Sequence, residues 1–133
     1  MRNSLIAAAA LILLCTTAAT EPATKVFPVP EGSHPHDVAP VPDGTVWYTA
    51  QAKGALGILD PKTGAVRQIP LGDGSAPHGV IAGPDGAAWI TDGGLNAIVR
   101  YDPASGTVKR WPLPKGAADA DLNTAVFDRD GVR

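Results

Sequence analysis

Residues 35–50 read PHDVAPVPDGTVWYTA, and residues 77–92 read PHGVIAGPDGAAWITD. A displacement of 42 residues superimposes Pro28 on Pro70, Gly32-Ser33 on Gly74-Ser75 and Pro35-His36 on Pro77-His78. It continues through Pro42-Asp43-Gly44 on Pro84-Asp85-Gly86, Trp47 on Trp89, Thr49 on Thr91, Asp60-Pro61 on Asp102-Pro103 and Gly64 on Gly106, without a gap. A period of 40–45 residues makes each repeat one supersecondary unit that cannot bury its apolar face alone and must stack on a neighbour. A third copy begins with LNTAVFDRDGVR from Leu122, displaced by 45, with Asn123 in the histidine slot.

Each repeat holds four short runs with strand character, at 37–41, 45–50, 55–60 and 65–71, then at 79–83, 87–92, 97–102 and 107–113. The connectors carry turn chemistry. Pro-Asp-Gly places Pro where φ near −65° is wanted and Gly where φ turns positive. DPKTG and DPASG have the length of a type I turn closing on a left-handed glycine. In AIVRYD, Ile98 and Arg100 face one way and Val99 and Tyr101 the other. Four strands per unit is the pattern of a β-propeller blade. The expected fold is therefore all-β, with blade repeats at about 35–71 and 77–113 and a third blade opening near 122. That makes about two and a half four-stranded antiparallel blades. A ring needs roughly four to eight, so either several copies assemble a ring or, as the stop inside a motif favours, the 133 residues are the N-terminal part of a longer propeller. TKVFPVP, residues 24–30, aligns with the fourth strand of a blade, as if completing the last blade of a closed ring. Trp47 and Trp89 are expected to pack between adjacent blades.

The first 20 residues fit a signal peptide: Arg2, then an apolar run of ten at 5–14, then small residues before Glu21. Ten apolar residues are too few to span a bilayer, so no stable membrane insertion is expected. Cys15, the one cysteine, falls in this segment, leaving 21–133 without disulfides or thiol chemistry. All 13 acidic residues and ten of the 11 basic ones follow position 20, a net charge near −3 with no basic stripe. Nucleic acid is not an expected partner. The chain reads as secreted or periplasmic.

His36 and His78 open the innermost strand of each unit, where blades line a central channel. They are candidate substrate-binding residues facing that channel. The competing reading has each ring bonding the backbone of the next blade. Repetition argues against catalysis, which needs one special site where a repeat supplies several. His34 has no counterpart and reads as a solvated loop residue. Asp43, Asp60, Asp85, Asp102 and Asp130 are turn residues whose carboxylates accept backbone N–H groups. Asp119 and Asp121 lie in a three-residue expansion of the repeat, without enough oxygen ligands nearby for a metal. No Walker loop, GxSxG, HExxH or CxxC occurs.

The frame Pro-His-[Gly/Asp], Pro-Asp-Gly-x-x-Trp-[Tyr/Ile]-Thr, ALGILDPKTG and IPL resembles the streptogramin B (virginiamycin B) lyase family over residues 24–133. The resemblance implies a seven-bladed propeller, often exported, and a monomer at full length. It implies a small-molecule ligand, a cyclic depsipeptide antibiotic opened at its ester by elimination, with Mg²⁺ as Lewis acid and a histidine in proton transfer. The catalytic and metal-binding residues it implies lie in late blades, beyond residue 133. A non-catalytic propeller holding a small ligand or a protein partner is the alternative, since fold does not fix function.

Overall fold

The computed structural model describes residues 23–117 and 120–131. The signal-peptide reading, Cys15 and Asp119 fall outside the described residues. Eight strands form two four-stranded sheets. The first holds β1 (Pro35–Pro40), β2 (Val46–Ala50), β3 (Ala55–Leu59) and β4 (Val66–Pro70). The second holds β5 (Pro77–Ala82), β6 (Ala88–Asp92), β7 (Ala97–Asp102) and β8 (Thr107–Pro112). Each sheet is an antiparallel meander in chain order. These are the two expected blades, strand for strand.

The turns form as their residues dictate. Gly44 and Gly86 close the Pro-Asp-Gly turns at φ 89° and 75°. Gly64 and Gly106 close the longer hairpins at φ 78° and 70°. One element is not legible in the repeat: a 3-10 turn at Gln51–Lys53 joins β2 to β3, ending on left-handed Gly54.

The blades meet through one apolar cluster. Blade 1 contributes Ala39, Val41, Trp47, Leu56 and Leu71, and blade 2 contributes Val80, Ala88, Ile90, Val99 and Tyr101. The alternation in AIVRYD decides its own half. Val99 and Tyr101 point into the cluster at 0% and 2% exposure, while Ile98 and Arg100 lie on the opposite face. Trp47, 4% exposed, is the largest side chain at this interface. Burying about 200 Å² of indole at about 25 cal/mol/Å² is an upper figure of about 5 kcal/mol.

The repeat carries this contact onward. Trp89 stands on the other face of blade 2, stacked on Trp111 at 5.6 Å and met edge-on by Phe127 of the third copy at 5.9 Å. An apolar cleft of about 640 Å³ lies there, lined by Ile81, Trp89, Ile98, Trp111, Val126 and Phe127 among others. It is the seat of Trp47 repeated one blade on, and so a blade-packing face. The third copy begins on it, with a single bridge between Asp128 and Gly131.

Residues 23–30 form no strand, contrary to expectation. A strand needs a ladder partner, and none runs beside this segment among the described residues. It packs instead by side chains on the far face of blade 1. Val29 touches the Tyr48, Ala50 and Ala55 cluster, and the Lys25 ammonium bonds the Pro61 carbonyl. That face is otherwise thinly covered: Val38 is 60% exposed, whereas its counterpart Val80 is 2% exposed. Among the described residues no helix is long and apolar enough to cross a membrane.

Candidate functional site

The antiparallel registers pair Pro35 with Ala50, Ala50 with Ala55 and Ala55 with Pro70, so these residues share one end of blade 1. Pro77, Asp92, Ala97 and Pro112 share the same end of blade 2. β1 lies against β5, making them the inner strands. His36 and His78 therefore sit at one rim of the inner strands.

Both inner strands carry a β-bulge at this point. The register slips between Pro35 and Val38, and again between Pro77 and Gly79. A bulge re-aims the side chains around it and frees a ladder amide. The Trp-x-Thr threonine takes up that amide. Thr49 Oγ1 accepts the Asp37 N–H at 2.9 Å, and Thr91 Oγ1 accepts the Gly79 N–H at 3.0 Å. Each hydroxyl then donates across to the next blade, Thr49 to the His78 carbonyl at 2.9 Å and Thr91 to the Asn123 carbonyl. Asp37 adds a second tie through its carboxylate, which accepts the Val80 N–H at 3.0 Å.

The histidine rings do something other than the structural reading expected. Neither ring nitrogen makes a hydrogen bond among the described residues. The two rings instead meet each other, centroids 3.7 Å apart and tilted by 44°. What binds the next blade is the backbone of the histidine slot and the threonine hydroxyl. His36 is exposed and His78 half-buried. His34 is an exposed loop residue in the left-handed region, at φ 45°.

Asp92 is a second residue at this rim that the motifs do not announce. It replaces Ala50 of blade 1 and is 0% exposed. Its carboxylate accepts Ser75 Oγ–H, the Ala76 N–H at 2.9 Å and the Leu95 N–H at 3.0 Å. Blade 1 meets the same need with backbone alone, the Gln51 and Ala52 N–H groups bonding the His34 and Ser33 carbonyls. The available signals were recurrence for Thr49 and Thr91, and departure from recurrence for Asp92.

The turn aspartates lie at the opposite end. Thr45, through its N–H and its hydroxyl, holds the Asp43 carboxyl below the usual carboxylate range. The Lys62 N–H and Thr63 hydroxyl do so for Asp60, and the Ala104 N–H for Asp102. Burial pushes Asp85 up, but the Arg100 guanidinium at 2.8 Å, the Trp89 indole N–H and the Ala87 N–H outweigh it and leave it lowered. Stability held by lowered carboxylates is complete above their unfolded values near pH 3.9 and lost as pH falls through the folded ones. The thermal midpoint is therefore expected to fall below about pH 4. Asp60→Asn should flatten that acid limb, and an unchanged limb would contradict this assignment.

Among the described residues, no three of His, Cys, Asp and Glu come together in a way that could hold a metal ion. The Mg²⁺ implied by the family resemblance finds no carboxylate-rich set among the described residues.

The sequence profile of the virginiamycin B lyase family matches residues 15–129. Virginiamycin B lyase from Staphylococcus aureus superposes with a TM-score of 0.66 at 24% identity, over 74% of this chain and 33% of that one. The same values hold for a catalytically inactive form of that lyase solved with quinupristin. A streptogramin B lyase gives 0.63 at 29% identity, over 70% of this chain and 31% of that one. The chain thus spans about a third of the length of these lyases. No curated protein sequence matches it.

Proposed function

The chain belongs to the virginiamycin B lyase family, and from that premise we propose that the whole protein is an exported, Mg²⁺-dependent lyase acting on a streptogramin B-type cyclic depsipeptide. The reaction is an elimination. A base removes the α-proton of the ester-bearing threonyl residue, the β-carbon–oxygen bond breaks, a double bond forms, and the ester leaves as a carboxylate. The observation that carries this reading is the family match over 15–129, on a chain that already builds two blades with the family's repeated phrase.

Residues 23–131 supply scaffold and rim to this reaction. The threonine ties fix blade on blade, and the bulges present two imidazoles at one end of the inner strands. The acid–base pair and any Mg²⁺ ligands belong to blades outside these residues. A second reading, a non-catalytic propeller holding a small ligand at the same rim, draws on one observation. Asp43, Asp60, Asp85 and Asp102, the carboxylates held below the usual range, sit at the far end, away from the histidines.

The test is incubation of the full-length gene product with a streptogramin B and Mg²⁺, followed by mass spectrometry. A ring-opened species of unchanged mass supports the lyase. A product heavier by one water, or an intact ring, overturns it and leaves the binding reading.

A further inference from the structure

We propose that His36 and His78 form a two-imidazole site for a borderline first-row divalent cation such as Zn²⁺, Ni²⁺ or Cu²⁺, clipping blade 1 to blade 2. The two rings come from equivalent slots on adjacent inner strands and lie 3.7 Å apart, centroid to centroid. Neighbouring strand positions across a blade interface do not by themselves bring two imidazoles together. Each slot lies at a bulge, which re-aims neighbouring side chains, and the bulge occurs in both blades. Neither ring is committed elsewhere among the described residues. The nearby Asp37 carboxylate is already taken by the Val38 and Val80 N–H groups.

The geometry suits ligation. Metal–nitrogen bonds of about 2.0–2.1 Å at a tetrahedral angle need two nitrogens about 3.3 Å apart. Centroids 3.7 Å apart put the two rings within range of that spacing, and exposed His36 has room to rotate. Imidazole favours Zn²⁺, Ni²⁺ and Cu²⁺, whereas Mg²⁺ asks for oxygen. Two protein nitrogens leave the remaining coordination positions open to water or to a small ligand at the rim. This site is separate from the Mg²⁺ chemistry proposed above, and it stands whether or not the protein is a lyase.

The repeat also supplies the control. Asn123 fills the same slot in the third copy, so histidine to asparagine is a change the position already accepts. The full-length protein is titrated with ZnCl₂ or NiCl₂ alone by isothermal calorimetry. The expected result is saturable binding of one cation per chain. His36→Asn and His78→Asn should each weaken it more than about tenfold, since even an outer-shell partner of a ligand is worth about 10–100-fold in affinity, with the metal-free thermal midpoint unchanged. His34→Asn and Cys15→Ser should leave it intact, and excess Mg²⁺ should not compete. Unaltered binding in His36→Asn or His78→Asn, or equal loss in His34→Asn, overturns the two-imidazole site.

Discussion

Asp92→Ala is expected to destabilise the protein by about 3 kcal/mol, since it takes the shared acceptor from three hydrogen bonds at a buried site. The carboxylate is 0% exposed and accepts two backbone N–H groups and a hydroxyl. Alanine removes the acceptor of all three part-buried donors, and each donor left without a partner costs about 1–3 kcal/mol. Asp92→Asn keeps one acceptor oxygen, so its loss should be smaller. Grafting the blade 1 solution is not open to blade 2, because its β6–β7 loop follows a different path. A Cβ on Gly94 would lie 2.2 Å from the Gly74 carbonyl oxygen, so the Gly93-Gly94 loop lies directly on the strand-entry segment and cannot copy the 3-10 turn of Gln51–Lys53. Urea unfolding measures the effect, and a loss below about 1 kcal/mol would contradict the network.

Thr49→Val is expected to cost about 3 kcal/mol, with Thr49→Ser losing much less. Valine matches threonine in shape and removes only the hydroxyl. It strands the Asp37 N–H freed by the bulge and the His78 carbonyl of the next blade, at about 1–3 kcal/mol each. The loss should appear in both blades at once, since Trp47 and its cluster join them into one core. Native-state hydrogen exchange reads this directly: amides of β3 and of β7 should lose protection together. Loss confined to blade 1 would show that the hydroxyl is not an inter-blade tie.

Much of this architecture was legible in the residues. The Pro-Asp-Gly and Asp-Pro-x-x-Gly turns set the hairpins, and the alternation in AIVRYD oriented β7 before any coordinates. Trp47 and Trp89 announced the packing face by recurring. The rim was less legible, because a β-bulge is a property of register and leaves no residue signature in Pro-His-Asp or Pro-His-Gly. Without the bulge, the histidine drew attention for its chemistry and the threonine passed as an ordinary strand residue. Thr49 and Thr91 recur, but recurrence does not tell that one hydroxyl both accepts within its blade and donates to the next. Asp92 was hidden differently: it breaks the repeat inside a strand, where a polar residue reads as a solvated face. The expected strand at 24–30 failed because strand propensity needs a ladder partner to become a strand.

The repeated phrase is thus a device for joining blades, with the two imidazoles meeting at the rim. The activity of the family this chain belongs to is the central functional claim, and isotope labelling tests it most directly. The full-length protein is incubated with a streptogramin B and Mg²⁺ in oxygen-18 water, and the ring-opened product is weighed. Elimination takes no oxygen from solvent, so the product should match the intact antibiotic in mass and carry no label. A product carrying one labelled oxygen would mean hydrolysis and contradict the account.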